Sequence, residues 1–140
     1  MTTPTMPLLN VRNLQAGFHT PEGIARAVND VSFSIRRGDV FALVGESGCG
    51  KSVTALSILQ ILPQPSGFIS GGEILFEGRD LLTMPESEKR KLRGNRISMI
   101  FQEPQTSLNP VFTIGNQVDE AFLAHGRATR SNVRTKTVEM

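Results

Sequence analysis

Two stretches near the start of the chain have the polar and apolar pattern of paired strands. Leu8 to Phe18 and Ile24 to Ile35 are rich in apolar residues, and the short segment HTPEG joins them. In the second stretch Val31, Phe33 and Ile35 alternate with polar residues, which places one face in a core and the other in solvent. The proline and glycine of HTPEG are typical of a turn between antiparallel strands. The pattern therefore predicts a hairpin.

A different pattern follows at Val40 to Val44, where apolar residues run without alternation. This is the pattern of a strand covered on both faces in a parallel sheet. A glycine-rich loop separates it from Ser52 to Leu62, whose apolar residues recur at helical spacing until Pro63. The predicted order here is strand, loop, helix.

Further elements are predicted downstream. Gly71 to Leu82 has the pattern of a strand, a turn at Glu77 to Asp80 and a second extended piece. Thr83 to Glu86 has the spacing of a capping box and predicts a short charged helix. Ile97 to Phe101 is a compact apolar strand, and Ile114 to His125 has the pattern of an amphipathic helix that ends at a glycine.

Composition limits the classes of protein to consider. With 140 residues, 39% of them apolar and 20% charged, the chain is expected to form one folded domain or part of one. The net charge of +2 is mild, and the basic stretches at 88–96 and 127–136 are interpreted as solvated faces, so no nucleic-acid partner is expected. The single cysteine, Cys49, excludes an intrachain disulfide. The longest apolar run is far shorter than the roughly 18 residues of a membrane span, which predicts a cytosolic chain that reaches a membrane through a partner.

The glycine-rich loop, GESGCGKS at residues 45–52, fits the P-loop pattern. Gly45, Gly48 and Gly50 leave the backbone N–H groups accessible at the start of a helix, where a polyphosphate is best held. Lys51 supplies a point charge for the β and γ phosphates, and the Ser52 hydroxyl is a hard oxygen ligand suited to magnesium. The loop alone leaves kinases, GTPases and motor ATPases open. A GTPase should also contain N-K-x-D, which the chain lacks.

A polar amide, Gln102, follows the predicted strand Ile97 to Phe101. In an open α/β sheet, ligands lie at the carboxyl ends of the strands, so Gln102 could reach the phosphate end of the site and contact water or magnesium. An ordinary surface glutamine in a loop explains the spacing equally well.

The chain resembles the ATP-binding subunit of an ABC transporter. The resemblance rests on GESGCGKS, on FQEP some fifty residues later and on the aromatic residue in LQAGFHTPEG. The segments GEILFEGRDLL and EPQTSLNPVFTIG are similar to the oligopeptide, dipeptide and nickel import group. The resemblance implies an α/β fold, a P-loop NTPase core with an antiparallel β subdomain, incomplete at the C-terminus. Residues 1–140 would then be the N-terminal part of the ATP-binding domain, with the A-loop, Walker A, the Q-loop and the start of the helical subdomain.

The resemblance also implies roles for individual residues. Phe18 is the A-loop aromatic that stacks on adenine, although many relatives have tyrosine there. Lys51 is the Walker A lysine, Ser52 is a magnesium ligand, and Gln102 is the Q-loop glutamine, with a catalytic and a metal-binding role. The other residues implied to bind ATP are those of the loop itself: Gly45, Glu46, Ser47, Gly48, Cys49 and Gly50.

The implied function is ATP binding, with Mg²⁺, in an import ATPase that powers uptake of peptides or related small solutes, nickel among them. The implied partners are membrane-spanning permease subunits, a second ATP-binding subunit of the same or another kind and, indirectly, an extracytoplasmic solute-binding protein. The implied location is the cytoplasmic face of the inner membrane, with peripheral attachment.

The sequence lacks the family's hydrolytic parts, which are the signature LSGGQ, a Walker B strand ending in Asp-Glu and a switch histidine. ISGGE at Ile69 to Glu73 precedes Gln102 and is interpreted as a turn. Asp119 and Glu120 are interpreted as the polar face of a helix, and His125 as its end. The chain is therefore expected to bind ATP without hydrolysing it, as a fragment or truncated form of a complete ATP hydrolase. The alternative is a short, non-hydrolysing ATP-binding regulator.

Overall fold

The computed structural model describes residues 6–102 and 108–140. The chain divides into two compact units, Met1–Lys89 and Arg90–Met140, which are described one at a time below. In the described residues no helix has the length and apolar character needed to cross a membrane.

A four-stranded antiparallel sheet forms the first unit. Its strands are β1 (Leu9–Thr20), β2 (Gly23–Ile35), β3 (Gly67–Phe76) and β4 (Arg79–Asp80), in the order β2-β1-β3-β4. The β1–β2 pairing runs up to Thr20 opposite Gly23, which confirms the predicted hairpin and its turn. The predicted strand, turn and second extended piece after residue 71 are confirmed as β3 and β4, with β3 beginning earlier, at Gly67.

The core of the sheet depends on an irregularity in β1. Val11 and Leu14 are both fully buried although they are three residues apart, because the register shifts between them. Asn13 lies at this shift with a positive φ of 48°. Its side-chain amide donates to Asp30 Oδ1 at 2.7 Å across the strand pair. The extra residue is that of a β-bulge, and it turns both apolar side chains towards the same face.

The ISGGE segment belongs to β3, so its interpretation as a turn was wrong. Gly72 in this segment has a φ of 97°, and a Cβ there would lie 2.6 Å from the carbonyl oxygens of Arg12 and Asn13. The second glycine of ISGGE is therefore required by the close approach of β1 at its bulge.

The helix that follows the glycine-rich loop is α1 (Lys51–Leu59), and it is shorter than predicted because Gln60 adopts a left-handed conformation that ends it. Its most buried residues are Thr54 and Ser57 and not the predicted apolar ones. Both hydroxyls donate to the helix's own backbone, to Gly50 O at 3.0 Å and Val53 O at 2.7 Å. Small side chains whose hydroxyl groups make hydrogen bonds can be buried without loss of stability.

The remaining helices are α2 (Glu86–Leu92), α3 (Ile114–Ala124) and α4 (Val133–Glu139). α2 begins at Glu86, later than the predicted capping box, and the Thr83 hydroxyl donates to Asp80 O and not to the helix start. α3 is confirmed, with Thr113 as its N-cap and His125 as its C-cap. The sequence did not predict α4.

The two strands predicted for a parallel sheet are absent from the described residues. Val40 to Val44 is unpaired, with Val40 99% and Val44 88% exposed, and Ile97 to Phe101 has one isolated bridge, from Ile97 to Arg93. An apolar run forms a strand only when neighbouring strands complete its hydrogen bonds, and the described residues contain no such neighbour for either run.

Candidate functional site

The glycine-rich loop lies in the first unit and leads directly into α1. Its chain reverses at residues 46–49, where the Cys49 N–H donates to Glu46 O at 3.3 Å. Gly48 and Gly50 have φ values of 81° and 93°, which L side chains rarely adopt. A Cβ on Gly45 would lie 2.5 Å from Cys49 Sγ. Each glycine therefore has a structural reason, and together they leave an exposed loop with little side-chain cover.

The start of α1 has free hydrogen-bonding capacity. Gly50 is its N-cap and supplies no side-chain hydrogen bond, and the first turn has no acidic residue. The first intrahelical bond is from Thr54 N to Gly50 O at 2.8 Å, so the amides of Lys51 to Val53 precede the helical ladder. The helix dipole adds partial positive charge at the same point. The arrangement suits an anion with several oxygen acceptors.

The Lys51 side chain lies across this loop. Its Nζ donates to Gly45 O at 2.8 Å and to Glu46 O at 2.6 Å, and it lies 3.5 Å from Cys49 Sγ. These partners are neutral dipoles, so a phosphate with full negative charge would be a stronger partner for the ammonium group. The Ser52 side chain, next along the chain, is exposed.

Whether a magnesium ion fits the loop depends on the side chains that could act as its ligands. The described residues contain no group of three or more His, Cys, Asp or Glu that could hold a metal ion. Magnesium commonly keeps water and binds through few protein ligands plus substrate phosphates. A single hydroxyl oxygen such as that of Ser52 fits an ion that arrives with phosphate.

Phe18 lies near the end of β1, in the same unit as the loop. It is paired with Ala25 of β2 on one side and with Gly67 of β3 on the other. A Cβ on Gly67 would lie 3.3 Å from Phe18 Cε1, so the missing side chain leaves room for the edge of the ring. Phe18 is half-buried and retains ring surface for a flat ligand. Its neighbour His19 stacks on Phe68, with ring centroids 4.5 Å apart.

Gln102 lies in the second unit and is exposed. The residues that follow it in the quoted FQEP segment, 103–107, lie outside the described residues. Asp119 is part of α3, where it accepts from the Thr137 hydroxyl and its Oδ2 lies 3.5 Å from Arg134 Nη1. Glu120 beside it is exposed. Both acids are thus on a helix, as predicted.

A contact between the loop and β2 could not have been predicted from the sequence. A Cβ on Gly50 would lie 2.2 Å from Ala27 O and 3.7 Å from Val28 Cγ2. Val28 is buried and pairs with Ala16 of β1. No motif marks Ala27 or Val28, because their role depends on a contact between segments far apart in sequence.

Comparison with known proteins identifies the family. The family profile described as ABC transporter matches residues 28–139. The chain belongs to the ABC transporter family. The match includes the glycine-rich loop at residues 45–52.

Relatives of the ABC family chain carry names connected with the transport of peptides or of peptidoglycan. It is 51% identical to the peptidoglycan transport ATP-binding protein YejF of Agrobacterium fabrum, over 99% of this chain and 25% of that protein. It is 46% identical to the dipeptide transport ATP-binding protein DppD of Bacillus subtilis, over 95% of this chain and 40% of that protein. It is 45% identical to the oligopeptide transport ATP-binding protein OppD of Escherichia coli, over 95% of this chain and 39% of that protein. The chain thus spans less than half the length of these relatives.

Solved structures support the fold of the ABC family chain. A dimeric bacterial ABC transporter cassette, MJ0796, superposes with a TM-score of 0.76 at 22% identity, over 94% of this chain and 54% of that one. The same cassette in a post-hydrolysis state with ADP and phosphate gives the same values. The expected ABC ATPase fold class is confirmed, with the antiparallel β subdomain as its best-formed part.

Proposed function

We propose that this chain binds MgATP through the Walker A loop, with Phe18 stacking on the adenine ring. The main support for the proposal is the start of α1. It has no side-chain cap, it follows Gly50 in a left-handed backbone conformation, and it has the Lys51 ammonium group beside it. The family match supports nucleotide as the anion, since it places this loop in an ABC transporter sequence. Glu46, Ser47 and Cys49 complete the loop around the phosphates.

Ser52 would hold the magnesium ion through its hydroxyl oxygen. For Gln102, in the second unit, we propose the catalytic and metal-binding role that the family resemblance implies. The ion supplies charge that offsets the negative charge of the phosphates. The exposure of both side chains supports these roles. In this proposal residues 1–140 form the A-loop, Walker A, Q-loop and first helical part of an ATP-binding domain.

The biological role we propose is that of an ATP-binding subunit in an importer of peptides or related small solutes. The names of relatives with 45–51% identity support this solute class. The proposed partners are membrane-spanning permease subunits and a second ATP-binding subunit, and the second is supported by the dimeric cassette of the same fold. In this role the subunit attaches to the cytoplasmic face of the membrane through the permease.

Hydrolysis belongs, in this proposal, to a complete subunit and not to these 140 residues. The sequence contains no LSGGQ and no apolar strand that ends in Asp-Glu. The adjacent acids of the chain lie on α3, where Asp119 contacts α4 residues. In this proposal the residues that hold phosphate are present, whereas the sequence motif that would supply a carboxylate to activate water is absent from these 140 residues.

Isothermal titration calorimetry of the 140-residue chain with MgATP tests the proposal. The wild type is expected to bind with a stoichiometry near one. Lys51→Ala should abolish or strongly weaken binding because the ammonium partner of the phosphates is lost. Lys91→Ala, which removes an exposed lysine from α2, is the matched control and should bind as the wild type does. Equal binding by both variants would disprove a Walker A site.

A further inference from the structure

The loop meets the antiparallel sheet at one well-defined place. Gly50 approaches β2 so closely that a Cβ would lie 2.2 Å from Ala27 O and 3.7 Å from Val28 Cγ2. The hydrogen of glycine is therefore the largest substituent that fits between the loop and the strand. Val28 is 3% exposed, so its side chain has a fixed place beneath this contact.

The same strand, β2, also pairs with the β1 position of Phe18. Val28 pairs with Ala16 of β1, and Ala25 pairs with Phe18 two residues further along the hairpin. Ala16 is 2% exposed, and α1 contacts both β1 and β2. Strand pairing and burial thus link Gly50, through Val28 and its β1 partner Ala16, to the strand position of Phe18, with one register shift between Ala16 and Gly17. Close-packed contacts of this kind transmit displacement instead of absorbing it.

We propose that Val28 is a positioning residue that sets the spacing between the phosphate-binding loop and the adenine-stacking Phe18. The proposal rests on the proposed MgATP site. Its consequence is selectivity for ligands that span both ends of the site. A nucleoside triphosphate must reach Phe18 and the loop at once, whereas inorganic tripolyphosphate needs the loop alone.

The test is the ratio of two dissociation constants, for MgATP and for magnesium tripolyphosphate, measured on the 140-residue chain. Val28→Ala removes both γ-carbons, including the Cγ2 that lies nearest the loop, and leaves a cavity that lets the strands shift relative to the loop. We expect this variant to bind MgATP about fivefold or more weakly, a change within the usual range of coupling between sites. Its affinity for magnesium tripolyphosphate should change by less than about twofold. A purely structural role would weaken both ligands in proportion.

Two further variants separate spacing from stability. Val28→Thr keeps the shape of the side chain while placing a hydroxyl in the core, so it lowers stability but should keep the wild-type ratio. Val11→Ala makes the same truncation as Val28→Ala at a fully buried β1 position, opposite Phe33 and Ile74, and should also keep the ratio. Phe18→Ala is the positive control and should lose ATP affinity selectively.

Each outcome has one meaning. A wild type that binds neither ligand overturns the proposed function itself. A wild type that binds both, with a Val28→Ala ratio equal to that of the wild type, overturns the positioning role and leaves the proposed function standing. A ratio altered equally in Val28→Ala, Val28→Thr and Val11→Ala would show that general loss of stability is the cause, and this result too overturns the positioning role.

Discussion

Replacing Gly50 by alanine is expected to damage both the fold and the ATP site, for two separate physical reasons. The first is backbone conformation, because Gly50 has a φ of 93°. The second is contact, because the new methyl group would lie 2.2 Å from Ala27 O. Gly38→Ala isolates the first reason, since Gly38 has a φ of 86° and nothing within 4 Å of its Cβ position.

The two substitutions should differ in the free energy of unfolding by the cost of the contact between the new methyl group and Ala27 O. A left-handed conformation costs alanine about 1–2 kcal/mol, and reduced freedom of the unfolded chain returns about 0.4–1 kcal/mol. Gly38→Ala should therefore lower the free energy of unfolding by about 1 kcal/mol. In Gly50→Ala the methyl group and the carbonyl oxygen must also separate by about 1 Å, and such overpacking costs a further ~1–3 kcal/mol.

Thermal unfolding followed by circular dichroism measures the stability difference, at about 4–8 °C per kcal/mol for a unit of this size. ATP titration measures the effect on the site, where a displaced loop should weaken binding about tenfold or more, or at least ~1.4 kcal/mol. Gly38→Ala should bind ATP as the wild type does, because it lies outside the loop. If Gly50→Ala matched Gly38→Ala in both Tm and affinity, the close approach of the loop to β2 would be refuted.

Three further predictions concern other parts of the chain. The 140-residue chain should release no phosphate from ATP above background, and release that Lys51→Ala abolishes would mean that an activating base is present. Maleimide labelling of exposed Cys49, followed by mass spectrometry, should slow when MgATP occupies the loop, and equal rates at saturating MgATP would count against binding there. Asp119→Ala should destabilise the second unit by about 1–3 kcal/mol through loss of its Thr137 and Arg134 contacts. Urea titration measures this loss, and exposed Glu120→Ala, the control, should change the free energy of unfolding by less than about 0.5 kcal/mol. Equal losses for the two variants would contradict the role of the Asp119 contacts.

Local patterns predicted the elements that are stabilised locally. The hairpin of β1 and β2 follows from two apolar-rich segments, of which the second alternates, and from a turn containing Pro21. Helix α3 follows from the helical spacing of its apolar residues before Gly126. The P-loop pattern predicted where a helix with an open N-terminus would begin. In each case the residues that determine the structure lie within a few positions of each other.

Features that depend on distant partners were missed or wrongly predicted. The apolar run Val40 to Val44 was predicted to be a buried strand, but strand formation depends on neighbours that no local pattern reveals. The bulge at Asn13 and the burial of Thr54 and Ser57 depend on the approach of other elements. The contact of Gly50 with β2 is of the same kind.

Amide chemical shifts of the ¹⁵N-labelled chain during titration with MgATP show residue by residue whether ATP binds at the start of α1. We expect the largest shifts at residues 45–52, with a second group around Phe18, and we expect Lys51→Ala to abolish both. Largest shifts among the basic residues at 88–96, with the loop unchanged, would contradict ATP binding at the start of α1.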